Sequence, residues 1–487
     1  MVASEPLGLI MLRVSCLAFV STVGVVLGVV PTTSRLAAAE PEQSPPPDLS
    51  TRPGADWPAF LGPTADGKSP ETGLITPWPA AGPRLVWQQR VGVGYGMPAI
   101  SRGRLFQFDR HGDTARVSCL KAESGEFIWK FEYATDYQDT YGYDNGPRCC
   151  PVVDGDRVYT FGAEGMLHCL RAVDGAVVWK IDTSREYGVV QNFFGVGSTP
   201  IVEGDLLIVQ IGGSPPEAAN VPRGQLDQVR GNGTGIVAFD KFTGRERYRL
   251  SDELASYAVP TAATIDGRRW CFVFTRGGLL GFEPSRGVQD FFFPWRAPIL
   301  ESVNASNPVV IGDRVLVSEC YGPGSAVVRV RPGGHDVIWQ DEDRSRNKAL
   351  QTHWNTPVYV DGFLYASSGR HTGGSDLRCV RFDTGEVMWR EQNDARSSFT
   401  YVDGHLICLT EDGELLLLRA NPEKFDLVSR FTPMIAAEVR PPLISSGEPS
   451  RMLNYPAWAA PAVARGLLYV RGANRLACFE IIPAAAR

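Results

Sequence analysis

Short runs of alternating apolar and polar residues recur along the chain and meet in pairs at tight turns, most of them of the X-Gly type. An X-Gly pair between two β-rich runs is typical of a hairpin. The pattern therefore predicts a series of antiparallel hairpins rather than helices. The eight turns are Arg102-Gly103, Asp154-Gly155, Glu203-Gly204, Asp266-Gly267, Gly312-Asp313, Asp361-Gly362, Asp403-Gly404 and Arg465-Gly466.

A second phrase follows the hairpins. In its strong copies a cysteine precedes a tryptophan by ten residues and a glycine precedes it by four. The phrase predicts a third strand at the cysteine and a fourth strand at the aromatic residue. Four-stranded units of roughly 40–50 residues are typical of a β-propeller. The strong copies end at Trp129, Trp179 and Trp389, and weaker ones end at Tyr248, Phe291, Trp339 and Leu427.

Proline marks the first strand of seven of the eight units. Because proline cannot donate to a β-ladder, it favours an edge strand, and the innermost strand of a propeller blade is such an edge. The eighth unit, Tyr455–Pro483, ends before a fourth strand, and Leu85–Gln88 supplies one from the other end of the chain. We therefore predict an all-β fold over residues 56–484. It is an eight-bladed β-propeller of four-stranded antiparallel blades, closed by an N-terminal strand in the last blade.

The N-terminus reads as a targeting segment. Arg13 precedes the apolar run Val14–Val30, and Ala37-Ala38-Ala39 offers a cleavage site. This pattern predicts a secretory signal over residues 1–39, starting at Met1 or Met11, and a Pro-rich linker over 40–55. An uncleaved anchor stays open as the alternative. Arg13 stands where a lipoprotein signal needs an aliphatic residue, which disfavours lipidation at Cys16. The expected location is periplasmic or secreted, with no membrane span after cleavage.

Composition narrows the function classes. The 51 glycines and 36 prolines among 487 residues disfavour a mostly helical protein. A formal net charge of −6 disfavours a nucleic-acid binder that depends on a basic surface. Ten cysteines form neither a C-x-x-C pair nor a C-x-x-C-H motif, so structural zinc and covalent haem are not indicated.

The phrase Cys-Leu-x-Ala-x-x-Gly-x-x-x-Trp at Cys119 and Cys169 resembles the repeat of the pyrroloquinoline-quinone (PQQ) propeller superfamily. That superfamily includes quinoprotein alcohol dehydrogenases and the BamB-type outer-membrane assembly factor. The opening Trp57–Pro63, with Asp66-Gly67 and Ser69–Gly73, resembles the N-terminal motif of secreted PQQ-like propellers common in planctomycete-type bacteria. The resemblance covers about residues 56–483, and it is specific for the fold and weak for chemistry.

Quinone chemistry is the enzymatic reading that the resemblance implies. It would need PQQ, a calcium ion held by carboxylate and amide oxygens, and a carboxylate base. The adjacent Cys149 and Cys150 are a candidate vicinal disulfide of the kind these dehydrogenases place over the cofactor. Cysteine also serves throughout this chain as a small strand residue, which favours two buried thiols. We find no run that matches the calcium and base motifs, so PQQ with calcium lacks motif support and we predict no metal site.

A candidate ligand site lies where the loops that lead into the first strands share a face with the loops between second and third strands. These loops are rich in polar and aromatic residues, which suit a small polar or glycan ligand or a protein segment. The same residues can instead hydrogen-bond the strand ends. The long loop Gly212–Asn232 is expected to overhang this mouth. The candidates are Tyr95, Asn145, Arg148, Asn192, Glu301, Asn304, Tyr321, His353, Trp354, Asn355, Arg370 and His371.

Two functions are weighed here; a third, a glycosidase or lyase, would need paired carboxylates, and only Glu301 and Glu319 stand out on this face. The first is an exported non-catalytic propeller, BamB-like in architecture, that scaffolds or binds a protein or a small ligand and has no catalytic residue. The alternative is a PQQ-dependent oxidoreductase. The sequence favours the first, because it supplies no recognisable set of calcium ligands and base.

Overall fold

Eight four-stranded antiparallel sheets follow one another along the chain in the computed structural model, which describes residues 44–190, 193–342, 345–435 and 450–484. The predicted eight-bladed β-propeller is confirmed. In the first seven blades the four strands pair in chain order from the centre outward, and in every blade the predicted turn lies between the first and second strands.

The first four blades are regular, and the third carries a long insertion between its second and third strands. Blade 1 holds Ala99–Ser101, Arg104–His111, Thr114–Lys121 and Phe127–Ala134. Blade 2 holds Val152–Asp154, Arg157–Phe161, Met166–Arg171 and Val177–Asp182. Blade 3 holds Ile201–Glu203, Leu206–Gln210, Ile236–Asp240 and Glu246–Leu250. Blade 4 holds Thr261–Ile265, Arg268–Phe274, Gly278–Glu283 and Val288–Pro294.

The last four blades include the two that receive N-terminal strands. Blade 5 holds Val309–Ile311, Arg314–Glu319, Gly324–Arg331 and Gly334–Gln340. Blade 6 holds Val358–Val360, Phe363–Ser368, Asp376–Arg381 and Val387–Gln392. Blade 7 holds Ser397–Val402, His405–Thr410, Leu415–Arg419 and Leu427–Phe431. Blade 8 holds Ala462–Ala464, Leu467–Arg471, Arg475–Glu480 and, as its outermost strand, Arg84–Arg90.

Closure of the ring follows the prediction. Arg84–Arg90 pairs antiparallel with Arg475–Glu480, so the last blade joins strands from both ends of the chain. A short strand, Lys68–Ser69, adds in parallel to the innermost strand of blade 7. Met434–Ile435 pairs with Ser450–Arg451 outside the blades. The short helical segments are Thr183–Tyr187, Pro216–Asn220 and Arg223–Gln228.

The glycine and tryptophan of the repeat dock neighbouring blades on one another. The Trp129 indole packs on Gly175 of the next blade, where an added Cβ would lie 2.5 Å from the ring. The indole Nε1 donates to the Ala172 carbonyl oxygen at 3.1 Å. Trp87 and Trp339 make equivalent bonds to the blades that follow them. The repeated spacing is therefore a repeated contact between blades, and it is the physical reason for the sequence period.

The segment predicted as a linker contacts the propeller where it is described. The Leu49 amide donates to the Arg102 carbonyl oxygen at 3.0 Å, beside a turn of blade 1. Arg52 forms an ion pair with Glu480 of blade 8 at 2.8 Å. The predicted signal, residues 1–39, lies outside the described residues. Among the residues that the structure describes, no helix is long and apolar enough to cross a membrane.

Candidate functional site

A cavity of about 350 Å³ lies at the centre of the ring, where loops from all eight blades meet. Its wall follows a simple rule. In the seven proline-marked blades, the residue one before the proline and the residue three before it both line the cavity. A residue before proline is restricted to extended backbone, and in extended backbone positions one and three share a side. The repeated proline thus aims two side chains per blade into the centre.

The inner ring is formed by the residues directly before the prolines, and these are mostly small, half of them apolar and half uncharged polar. Ser398 takes this place in blade 7, where Phe399 replaces the proline. The intervening second positions are mostly small because neighbouring backbone lies against them. At Gly96, an added Cβ would lie 2.5 Å from the Cys149 carbonyl oxygen. The inner-ring residues are Met97, Cys150, Thr199, Val259, Asn307, Thr356, Ser398 and Ala460.

The outer ring, three positions before the prolines, is aromatic and basic. Rings from three blades form a continuous row, with centroids 4.7 Å apart for Tyr95 and Trp458 and 4.6 Å apart for Trp458 and Trp354. Two blades contribute small residues instead of a large side chain. The outer-ring residues are Tyr95, Arg148, Gly197, Tyr257, Ala305, Trp354, Arg396 and Trp458.

Arg396 is fixed by a carboxylate behind the wall. It forms an ion pair with Glu411 at 2.7 Å, and the Glu411 side chain is fully buried. The Trp458 indole also donates to Glu411, at 2.9 Å. Burial alone would raise the pKa of Glu411, but the bonds from Arg396 and Trp458 outweigh it and lower that pKa below its usual value. The Arg396 guanidinium stacks 4.3 Å from the Trp354 ring centre, so the charged group and the aromatic ring hold each other in place.

Arg148 repeats this arrangement in blade 2. Its guanidinium pairs with Asp139, whose side chain is fully buried, and lies over the rings of Tyr95 and Tyr137. Two of the arginines in the wall are therefore neutralised from behind. Their guanidinium groups are held rigid, which pre-organises the wall.

His353 is neutral at physiological pH. Burial lowers its pKa to about 3, and Arg396 and Arg370 act in the same direction. Its Nδ1 lies 3.5 Å from Arg396 Nη1, which can only donate, and its Nε2 lies 3.1 Å from the Tyr321 hydroxyl. The proton therefore sits on Nε2 and is donated to the Tyr321 oxygen. This leaves the Tyr321 hydroxyl proton available to a further acceptor.

Arg370 differs from the other two arginines of the wall. Its guanidinium lies 4.2 Å from the Tyr321 ring centre. Among the residues that the structure describes, no carboxylate lies within ion-pair distance of it. The nearby Glu319 is buried, accepts from Ser302 and from the Tyr321 amide, and has its pKa raised to about 7 by burial. Arg370 helps to lower the pKa of Glu319 through space but forms no ion pair with it, so its charge is only partly compensated.

The N-terminal motif closes the other end of the channel. Trp57 is fully buried and bridges Ile100 of the innermost strand of blade 1. The chain then crosses to blade 7, where the Tyr401 amide donates to the Gly67 carbonyl oxygen. Phe60 and Leu61, between these two anchors, line the cavity. We call residues 57–69 the plug; they make the cavity blind on the side of the X-Gly turns.

Eight of the twelve predicted candidates line the cavity: Tyr95, Arg148, Tyr321, His353, Trp354, Asn355, Arg370 and His371. The other three described candidates lie away from it. Asn304 is fully buried and its amide donates to the Thr275 and Trp295 carbonyl oxygens, which is a structural role. Asn145 bonds Gln138 and the Asp139 amide, and Glu301 is exposed. Asn192 lies outside the described residues.

The long loop of blade 3 lies on the predicted face but beside the mouth. Its Leu226 and Val229 pack with Phe193 and Val303 from the neighbouring loops. Its Asp227 pairs with Arg296 at 2.7 Å. None of its described residues lines the cavity, so the overhang that the sequence suggested is not seen.

The donors of the wall do not suit a calcium-held quinone. Calcium takes carboxylate and carbonyl oxygens, whereas the described wall contains three arginines and neither Asp nor Glu. No group of three or more His, Cys, Asp or Glu among the described residues is placed to hold a metal ion. Cys149 and Cys150 are buried thiols, and burial raises the pKa of Cys150 to about 12. The described wall therefore does not fit a calcium-held PQQ. The disulfide between Cys149 and Cys150 stays a prediction.

Sequence reasoning missed most of the inner ring and left Arg396, Tyr257 and Trp458 without priority. The repeated proline is the sequence signal for these residues. The positions one and three before each proline give the inner-ring and outer-ring residues of seven blades. In blade 7 the signal is lost, because Phe399 stands in place of the proline.

Comparisons with known proteins agree with this architecture. Residues 115–368 match the model of the protein family described as outer membrane protein assembly factor BamB. BamB from Moraxella catarrhalis has a similar structure, with a TM-score of 0.53, 14% identity, and coverage of 83% of this chain and 99% of that one. The computationally designed Ika8 protein gives 0.51 and 9%, covering 82% of this chain and 100% of its own.

Quinohemoprotein alcohol dehydrogenase from Comamonas testosteroni gives a TM-score of 0.48 at 13% identity, covering 89% of this chain and 81% of that one. At identities of 9–14%, similarity to a solved structure shows a shared fold and no shared function. No curated protein sequence matches the chain.

Proposed function

The chain belongs to the family described as outer membrane protein assembly factor BamB, and from that premise we propose that it is an exported, non-catalytic binding protein whose cavity holds a small polar ligand. The observation that carries this proposal is the central cavity, which Phe60 and Leu61 of the plug line at one end and whose wall contains neither Asp nor Glu among the described residues. A plugged channel suits a small molecule better than a threaded peptide. Export rests on the predicted signal and on the family's description.

Glu411 and His353, two titratable groups at the wall, are both committed to orienting it, which supports binding rather than turnover. A general base must reach the proton it removes and must be free to accept it. Glu411 lies behind the wall and accepts from Arg396, Trp458 and Thr372. His353 shares its Nδ1 lone pair with Arg396 and carries its proton on Nε2. Both groups therefore serve to orient the wall.

The experiment is a thermal-shift screen of small polar molecules against the purified chain, followed by a turnover assay. A ligand at 100 times its Kd should stabilise the fold by about 2.7 kcal/mol. The matched control is Ala305→Trp, which places an indole where the outer ring has a gap and should abolish the shift. The alternative, a PQQ-dependent oxidoreductase, is tested with PQQ and Ca²⁺ and dye-linked alcohol oxidation after desalting. Retained PQQ together with turnover would contradict the proposal.

A second candidate is a protein scaffold that docks a partner over the mouth. Three tyrosines at the mouth are unusually exposed: Tyr141 at 49%, Tyr143 at 64% and Tyr455 at 52%. Exposed aromatic residues are favoured at protein interfaces. If the chain assists outer-membrane protein assembly, deletion of its gene in the native host should lower the amounts of those proteins, and the Tyr143→Ala variant should restore them only in part.

A further inference from the structure

We infer that the cavity takes a small organic carboxylate with a flat, mostly apolar ring, bound through Arg370 and Tyr321. This inference rests on the proposed binding function and names its ligand class. Its first support is the charge of the wall. Three arginines line the cavity and no Asp or Glu does so among the described residues.

Of these three arginines, only Arg370 forms no ion pair with a carboxylate of the described residues, so only Arg370 is available to pair with a charged ligand. Arg148 and Arg396 pair with carboxylates that are themselves fully buried behind the wall. Arg370 has no such partner within the described part of the chain and is partly exposed to the cavity. A buried or half-buried guanidinium without a counter-charge is costly, and a planar carboxylate offers it two parallel hydrogen bonds. The wall therefore selects one negative group at this point.

A hydrogen-bond donor beside Arg370 points to the same chemistry. Because His353 Nε2 donates to the Tyr321 oxygen, the Tyr321 hydroxyl proton is free to bond a ligand oxygen. The Tyr321 ring lies against the Arg370 guanidinium, and both residues line the cavity. A charged donor and a neutral donor in the same part of the wall suit an anion.

The rest of the cavity suits an apolar ring. Met97, Val259 and Ala460 belong to the inner ring, and Phe60 and Leu61 of the plug lie at the closed end. The volume of about 350 Å³ lies at the small end of the range for ligand pockets. The row of Tyr95, Trp458 and Trp354, whose rings are tilted to one another by 52° and 40°, gives the wall an aromatic side. A compact ring acid would place its body against these surfaces and its carboxylate at Arg370.

The test compares ligands that differ in charge but not in shape. Isothermal titration measures the Kd of benzoate and of its neutral isostere benzamide, with glucuronate, glucose and inorganic phosphate as further probes. We expect benzoate to bind the unaltered chain at least about tenfold more tightly than benzamide, a difference of about 1.4 kcal/mol. Phosphate and glucose should bind more weakly than benzoate.

Variants assign the effect to Arg370. Arg370→Gln should remove the preference for benzoate over benzamide, and Arg370→Lys should keep part of it because the charge remains without the fork. Tyr321→Phe should weaken benzoate severalfold. Arg390→Gln is the matched control, since Arg390 is exposed on the outermost strand of the same blade; it should change nothing. The melting temperature of each variant checks that it is folded.

The outcomes separate this inference from the proposed function. Equal binding of benzoate and benzamide, or an unchanged preference in folded Arg370→Gln, overturns the carboxylate assignment while the binding function stands. Tighter binding of phosphate or of both sugars than of benzoate also overturns it. Turnover with PQQ and Ca²⁺ instead overturns the proposed function.

Discussion

The two faces of the propeller are built from the same strands but carry different chemistry. On the side of the X-Gly turns, short turns join the first and second strands directly. The plug lies on this side, and its Trp57 is fully buried beside blade 1. On the opposite side, longer loops present arginines and aromatic residues, and tyrosines such as Tyr143 stay exposed. The comparison teaches that one face closes the fold and the other carries the binding chemistry.

The largest expected effect concerns the closed face. Trp57→Ala removes a fully buried indole that packs on Gly62, next to the backbone bridge between Trp57 and Ile100 of blade 1. We expect the free energy of unfolding to fall by about 3–5 kcal/mol, measured by urea denaturation. A loss below about 1 kcal/mol would show that the plug is not an integral part of the fold.

The next effect concerns the support behind the mouth. Glu411→Gln removes the buried charge that pairs with Arg396 but keeps a hydrogen-bonding group. We expect a loss of about 2–3 kcal/mol, because Arg396 then keeps a buried charge without its partner. The matched control is Glu414→Gln, whose partner Arg430 is exposed, and it should cost less than about 1 kcal/mol. Equal effects for the two variants would contradict the pre-organised wall.

A pH dependence on the mouth side follows from Glu319. Burial raises its pKa in the folded chain to about 7, above the usual value of 4.5. The unfolded chain therefore loses this proton first as the pH rises, so the stabilising contribution is complete below about pH 4.5 and is lost by about pH 7. We expect the Glu319→Gln variant to lack this decline, which amounts to up to about 3 kcal/mol. Denaturation midpoints at several pH values measure it, and parallel profiles for both chains would refute it.

The smallest expected effect is at the rim. Tyr143 is 64% exposed, so Tyr143→Ala should change the free energy of unfolding by less than about 0.5 kcal/mol. Tyr143→Ala and Trp57→Ala each truncate one aromatic side chain, so the difference between their effects compares the two faces directly. A loss at Tyr143 as large as the loss at Trp57 would remove the distinction between them.

The fold was readable from the sequence because its signals are local and repeated. The X-Gly turns, the strand-initiating prolines and the spacing from glycine to an aromatic residue each recur in most blades, and each reflects a contact that the fold repeats. Even the closing strand at Leu85 was found, because the last unit visibly lacks its fourth strand. What the sequence did not show is that residues 57–69 cross the channel, since blades 1 and 7, which anchor Trp57 and Gly67, come near each other only in the closed ring.

The site was predictable only in part. Residues such as Trp354 and Arg370 stand in loops of unusual composition, so their placement on one face could be inferred. Their chemistry could not, because it depends on partners from other blades: Arg396 is neutralised by Glu411, whereas Arg370 lacks such a partner among the described residues. Asn304 was misjudged for the same reason, as its amide is used by strand ends of the neighbouring blade.

Access to the cavity from one face is the central claim, and selective blocking of each face tests it most directly. All nine cysteines of the described residues are buried, so a biotin-maleimide should label only an introduced cysteine in a Cys16→Ser chain. Tyr143→Cys places the label at the mouth, and Asp205→Cys places it on an exposed turn of the plugged face. After streptavidin is added, the association rate of benzoate should fall at least about tenfold for the mouth label and stay unchanged for the other. Slowing from the plugged face alone, or equally from both, would contradict the account.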